Sequence, residues 1–360
     1  SRNHTEIMLK SFGADINVEN LKIAALLHDI GKFYQRTDKS HSEEYKKYSQ
    51  DDYGKNGAHA KWSCDFLDKY YNDDIVDLVL YHHNHTKSNY PDLCSILKKS
   101  DHHSASERED IDDTQEVNKT PLISLFSKIV LEGNGKVDEQ YIPLNKLSLD
   151  DGSFNNLKPA AKKDTMGGWN LVPEYKNLWD EFNSEFELIQ NKTDFNTLIA
   201  LLKKYASTMP SAAYKSKSDI SLYDHSKTTA ALAVSRYLFN RDGDVKLTQK
   251  DDLNCYLAIE GDISGIQKFI FKISSPQEAQ SGMSKRLRGR SLYLTLLCDA
   301  IATYIAEELE LCEANILFCG GGRFTIIGPN TKIAKEKLAE IKSKLNKFFI
   351  DEFNAELYLA

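Results

Sequence analysis

No Cys-x-x-Cys pair occurs anywhere in the 360 residues. The six cysteines, Cys64, Cys94, Cys255, Cys298, Cys312 and Cys319, are scattered through stretches that otherwise read as helix or strand. That spacing excludes a Cys-rich zinc module and offers no disulfide framework, so the thiols read as reduced core residues and the expected location is cytoplasmic. Long apolar runs are missing too. None approaches the roughly 18 to 20 residues that span a bilayer, and no signal-peptide pattern opens the chain, so no membrane partner is expected. Positive charge is in deficit as well: 53 acidic against 46 basic residues leave a formal charge of −7. A protein that coats nucleic acid by bulk electrostatics is excluded, and any such contact must be a local patch.

What is present is enough apolar material for several cores. With 41% apolar and 10% aromatic residues over this length, two or three domains are expected. From about residue 15 to 107 the pattern is helical: Leu21, Ala24, Ala25 and Leu27 form one stripe, Trp62 and Phe66 a second, Ile75, Leu78 and Val79 a third, and Leu93, Ile96 and Leu97 a fourth. Residues 37–57 lack any period and read as a mobile excursion that would serve as a lid. Residues 108–118 read as an acidic linker, "PLISLFSKIVL" and "EQYIPLNKLSL" as a short strand pair, 173–206 as helices, and 220–239 as an Ala-rich helix capped by Asp219 or Ser221. From Cys255 onward the order is strand, helix, two strands around a glycine turn, helix, strand. The expected fold is therefore multidomain α+β: an all-α domain over 1–107, a linker, short β segment and helices over 108–254 with 220–239 packing back on the first domain, and a ferredoxin-like βαββαβ palm over 255–360.

The chemistry concentrates in the helical region. "ALLHDIGKFYQR" sets His28 beside Asp29, "GAHAKWSCDFL" supplies His59, "DIVDLVLYHHN" ends in His82 and His83, and "LCSILKKSDHHSASER" holds Asp101. Helical spacing puts His28 on the face of Leu21 and Ala24, His82 on that of Ile75 and Leu78 or Val79, and Asp101 on that of Leu93 and Leu97. Polar groups thus point where the apolar stripes point. An ionised carboxylate buried alone costs several kcal/mol, roughly, and one divalent cation would resolve several such burials together. Imidazoles with carboxylates and no thiolate favour Mn, Fe, Co or Ni over Mg or a structural zinc site. One or two ions would fit, with Asp29 as the natural bridge and Lys32, one turn after His28, placed to meet developing phosphate charge.

The pattern H-D, H, H-H, D resembles the HD superfamily of metal-dependent phosphohydrolases. More narrowly, "ALLHDIGKFYQR", "YHH", "SDHHSASER", "TPLISLFSKIVL", "MPSAAYKSKSDISLYDHSKTTAALA" and "IEGDISGIQKFIF…RLRGRSLYLTLL…GGGRF" together resemble the large subunit of type III CRISPR effector complexes. HD hydrolases ordinarily begin with a histidine on a helix before the HD pair, and here only His4 precedes it, in a polar segment. His225, which shares a stripe with Leu222, Thr229 and Leu232, is the better candidate. A circular permutation would move that first helix to the end, as the resemblance also implies.

In the palm, the turn that carries acidic residues in GGDEF-type cyclases reads Gly320, Gly321, Gly322, Arg323, and Asp262 at the end of the first strand has no acidic partner there. The resemblance implies a second palm with a GGDD turn, and a zinc module, neither of which is in this sequence; the chain is expected to be an N-terminal part or a shortened form. Asp262, Gly320, Gly321 and Gly322 would line an ATP pocket, with cyclic oligoadenylate synthesis requiring the second palm. Lys285, Arg286, Arg288 and Arg290 lead into a helix and are the candidate nucleic-acid contacts. By resemblance, the expected activity is metal-dependent cleavage of single-stranded DNA, switched on by target RNA, with guide RNA and other effector subunits as partners. The alternatives are an HD phosphohydrolase of small nucleotides and a non-catalytic scaffold.

Overall fold

The HD pair sits at a break between two helices. In the computed structural model, which describes residues 16–106, 110–114, 116–129, 138–149, 157–165, 170–243, 253–272 and 282–360, α1 (Ile16–Leu27) stops just before His28, and Asp29 is the N-cap of α2 (Ile30–Gln35). His4 lies outside the described residues. Helix α1 buries Leu21, Ala24, Ala25 and Leu27, as its stripe requires.

The 37–57 stretch, expected to be a lid without structure, instead forms a 3-10 turn at Glu43–Lys47 with Tyr45 buried, then α3 (Gln50–Tyr53). Ser49 caps α3, its hydroxyl accepting the Asp51 N–H. Turns this short and polar leave no apolar period to read. Helices α4 (Ala60–Leu67), α5 (Asp73–Leu80) and α6 (Pro91–Ala105) complete the bundle, with α1 against α5 and α6, and α2 against α4. Asn72 starts α5 by accepting the Ile75 N–H, and Pro91 opens α6, where its missing N–H has no intrahelical partner to lose.

Part of the supposed acidic linker is a strand: β1 (Asp110–Thr114) pairs antiparallel with the later Tyr214–Ser216. With Ile111 its one apolar residue, "DIDDT" shows no alternation, so only its pairing reveals it. Strands β2 (Leu122–Ile123) and β3 (Tyr141–Ile142) form the expected short antiparallel pair. After α7 (Lys162–Thr165), helices α8 (Val172–Leu188) and α9 (Phe195–Ala206) follow, then β4 (Tyr214–Ser216) and α10 (Leu222–Asp242). Helix α8 sets Trp179 edge-on to Phe33 of α2 (centroids 4.9 Å apart) and Phe186 edge-on to Phe66 of α4 (5.0 Å). These edge-to-face pairs add to the area buried and fasten α8 to the HD helices. Ser221 caps α10, accepting the Asp224 N–H at 2.9 Å.

The chain packs as two units, 1–233 and 234–360, divided within α10. In the second, β5 (Tyr256–Ser264) leads through α11 (Ile266–Phe271), which sequence reading missed, to α12 (Met283–Glu308). Then follow β6 (Ile316–Gly320), β7 (Arg323–Pro329), α13 (Lys332–Phe353) and β8 (Tyr358–Leu359). The four strands form one antiparallel sheet in the order β6-β7-β5-β8. Its core joins Ile263, Phe324 and Ile326 to Cys298, Ile301 and Ile305 of α12 and Ile341, Leu345 and Phe349 of α13.

Candidate metal centre

The break between α1 and α2 is pinned from α4. The Gly31 N–H donates to Ser63 Oγ at 2.8 Å, and the Ser63 hydroxyl donates to the carbonyl of His28 at 2.7 Å. Gly31 is required here: a Cβ would stand 2.2 Å from the His59 carbonyl oxygen and 2.4 Å from the Ser63 nitrogen. With α2 and α4 this close, His59, the N-cap of α4, meets Asp29. His82 and His83 follow the end of α5, Asp101 comes from α6, and His225 from the first turn of α10.

Seven side chains converge, with His28, Asp29, His59, His82, Asp101 and His225 all buried. His28 Nε2, Asp101 and His225 form one group; His59, His82 and His83 form another. Asp29 serves both. Its Oδ2 is 3.4 Å from His28 Nε2 and 3.3 Å from His225 Nε2, and its Oδ1 is 2.9 Å from His59 Nε2. Asp101 Oδ1 lies 3.1 Å from His225 Nε2 and 3.7 Å from His28 Nε2, while its Oδ2 is 3.9 Å from His83 Nδ1.

The outer ring nitrogens are already committed. His28 Nδ1 is 2.8 Å from the Ala25 carbonyl, His82 Nδ1 2.6 Å from that of Val79, and His225 Nδ1 3.0 Å from Ser104 Oγ. These contacts fix ring orientation and leave Nε2 as the inward atom, the arrangement that metal-ligating histidines use. The Nε2 atoms of His28, His59, His82, His83 and His225, with Asp29 Oδ1, are buried without any directed hydrogen bond. Orphaned buried polar atoms are rare and expensive. Several are aimed at shared points, where one divalent cation would satisfy more of them at once than the pairwise carboxylate contacts do, so the donor set fits a divalent metal.

Charge agrees with this. Burial disfavours the ionised form of Asp29, but Lys32, His28 and His59 outweigh it and hold the carboxyl well below its usual range. Asp101 is likewise held low against burial, by His225 and His28. His28, desolvated but set against Asp29 and Asp101, is pushed up to about 10, whereas burial keeps His59 and His82 neutral and takes His83 down to about 3. Lys32 donates to Asp29 Oδ2 at 2.6 Å, so it orients the shared carboxylate. A cavity of about 530 Å³ opens beside the cluster, lined by Lys32, Arg36, His59, His83, Asp101 and Ser211 among others.

Comparison with known proteins follows the same division. The HD domain family matches residues 3–106 and the Csm1 subunit domain B family matches 255–360. The single-strand-specific deoxyribonuclease Cas10/Csm1 (subtype III-A) of Methanocaldococcus jannaschii is 30% identical over 94% of this chain. The chain is a Cas10/Csm1 homologue. It spans under half the length of that relative, 44%. The crystal structure of Csm1 from T. onnurineus superposes with a TM-score of 0.70 at 26% identity, covering 96% of this chain and 45% of that one. A Csm1–Csm4 cassette in complex with cA4 gives 0.64 at 25%, covering 96% and 44%.

In the domain B region of this Csm1 homologue, the glycine turn is a tight hairpin. Gly321 and Gly322 have φ of 62° and 85°, which side chains resist. Asp262 pairs across the strands with Arg323, Oδ1 to Nε 3.1 Å, both partly exposed. The structure thus brings Asp262 to Arg323 beside Gly320, Gly321 and Gly322. The basic cluster differs from expectation. Helix α12 begins at Met283, after left-handed Gly282, so Lys285, Arg286, Arg288 and Arg290 lie within its first two turns rather than leading into it. Arg290 is also engaged: it donates to the carbonyls of Phe269, Ile270 and Lys272 at 3.2, 3.1 and 2.5 Å, closing the end of α11. Arg288 folds back on Ser284.

Sequence reasoning missed Ser63, Ser104, Arg36 and Ser211. None stands at ligand spacing.

Proposed function

We propose that residues 1–233 form a metal-dependent phosphodiesterase that cleaves single-stranded DNA, within an RNA-guided type III CRISPR effector of the cytoplasm. The convergence of orphaned Nε2 atoms on Asp29 carries this reading, and the deoxyribonuclease activity for which its relatives are named supports it. His28, Asp101 and His225 would hold one ion, His59, His82 and His83 a second, with Asp29 bridging. Mn, Fe, Co or Ni suits this set better than Zn or Mg. When bound, such ions supply Lewis-acid charge and a nucleophile for in-line attack on a phosphodiester. Lys32 keeps Asp29 ionised and oriented. Ala25, Val79 and Ser104 hold their histidines with Nε2 inward, so little reorganisation accompanies the reaction.

His225 arriving from α10 supports reading the helical unit as a permuted HD domain, and the strand order β6-β7-β5-β8 supports a ferredoxin-like palm. Without a second palm carrying GGDD, the glycine turn would contribute at most to ATP binding, and cyclic oligoadenylate synthesis would not be expected of this chain alone. In the assembled effector target RNA would switch the nuclease on, with guide RNA and other subunits bound elsewhere, whereas the isolated chain is expected to cleave without it. The test is incubation of the Mn-supplemented chain with linear and circular single-stranded DNA. Cleavage that disappears in H28A/D29A supports the reading, and equal inertness of both proteins overturns it.

A further inference from the structure

Arg36 and Ser211 are buried together in the wall of the cavity beside the metal centre, and neither has a role in the cluster itself. Arg36 is only 4% exposed, yet among the described residues it has no carboxylate partner. Its Nη1 donates to the Pro210 carbonyl at 2.7 Å and to the Tyr175 hydroxyl at 3.4 Å, and its guanidinium lies 5.7 Å from the centre of the Tyr175 ring. A guanidinium stays charged in proteins. A cation this buried, with only neutral partners, is costly unless an anion completes it.

Ser211 follows Pro210 directly. It is 1% exposed and among the residues lining the cavity, and its hydroxyl has no hydrogen-bond partner. The segment is held rigidly. The Ser211 N–H donates to the Ile220 carbonyl at 2.8 Å and the Leu222 N–H to the Met209 carbonyl at 2.7 Å, just before the turn of α10 that carries His225. A buried cation without an anion and a buried hydroxyl without a partner therefore line one cavity, the hydroxyl on a strap that leads into the helix carrying His225.

We propose that Arg36 and Ser211 form a phosphate subsite that grips a non-scissile phosphodiester of the bound single strand, next to the one at the metal centre. The proposal rests on the nuclease reading for its ligand. Arg36 supplies charge and Ser211 a hydrogen bond to the non-bridging oxygens, so both act as binding and positioning residues. Being backbone contacts, they register the strand without reading its bases.

The test is binding of fluorescein-labelled dT10 to the full chain by anisotropy over a series of salt concentrations, with chelator present so that no cleavage occurs. S211A removes a hydroxyl that satisfies nothing, so its melting temperature should match wild type while dT10 binding weakens about tenfold, as loss of a hydrogen bond to a charged group does. R36Q, accepted for the assay if its circular dichroism and melting are retained, should weaken binding and lower the slope of log K against log salt by about 0.7, one phosphate contact on a single strand. Binding by both variants equal to wild type overturns the subsite, as does a wild type that fails to bind dT10. Binding that weakens as expected in a chain that never cleaves DNA with Mn would retain the subsite and overturn the nuclease reading.

Discussion

Replacing Gly31 by alanine tests whether the close approach of α2 to α4 builds the metal centre. The new Cβ would lie 2.2 Å from the His59 carbonyl, 2.4 Å from the Ser63 nitrogen and 2.6 Å from Ser63 Oγ, where ordinary contacts begin near 3.4 Å. Two of these neighbours are backbone, so α4 must retreat by roughly 1 Å rather than swing a side chain aside. Overpacking of this kind costs about 1–3 kcal/mol, and weakening of the Gly31 N–H to Ser63 bond adds about 1 kcal/mol. Alanine's better helix propensity returns at most about 1 kcal/mol, so the clash decides the sign. The net loss of about 1–3 kcal/mol corresponds to a melting temperature lower by roughly 2 to 12 °C for a unit of this size. Because His59 moves with α4, Mn affinity should fall about 10- to 100-fold, as when ligand support is lost. Differential scanning calorimetry and isothermal titration of Mn read the two effects. A variant that melts at or above wild type and binds Mn equally well would refute the reasoning.

Other outcomes follow from the same geometry. S104A removes the partner of His225 Nδ1 and should weaken metal binding about 10-fold or more by titration, while Thr, which keeps the hydroxyl, should restore part of it. In metal-free protein, His83 titrates near 3 folded against 6.5 unfolded, and His59 and His82 are shifted the same way. The unfolded chain therefore binds more protons between about pH 3 and 6.5, and stability is lost as pH falls through that window. His28, raised to about 10, has the opposite sign: its contribution is present below 6.5 and lost as pH rises toward 10. Denaturant midpoints in chelator should peak near pH 6.5, and an unchanged midpoint from 4.5 to 6.5 would contradict this. R290A removes the charged donor to three carbonyls at the end of α11 and should destabilise the second unit by about 1–2 kcal/mol, read from its urea midpoint.

Much of the ligand set was legible because each polar residue broke an apolar stripe at helical spacing. His28 after Leu21 and Ala24, and Asp101 after Leu97, both declare their faces by spacing alone. The chain order of strands and helices from Cys255 onward was legible because most of these segments are long and a glycine turn separates β6 from β7, whereas the short α11 was missed. What sequence could not show depends on three-dimensional neighbours. Strand β1 exists through its pairing with β4 rather than through alternation. The first two turns of α12 were hidden because "MSKRLRG" is too polar to show a helical face. Arg36 and Ser211 are 175 residues apart, and only the Arg36 bond to the Pro210 carbonyl makes them neighbours. Asp29 was named a bridge on spacing, and the opposed reach of its two oxygens, toward His59 and toward His28 and His225, required the fold.

The central claim is that His225, carried by α10, shares a site with His28, Asp29 and Asp101. Titration of the metal-free chain with Co(II), following its visible absorption and the bound stoichiometry, tests it most directly. The account predicts two ions for wild type and one for H225A, with the spectrum of the remaining ion unchanged in the His59–His82–His83 group. An H225A protein that binds both ions with wild-type affinity and spectrum would contradict it.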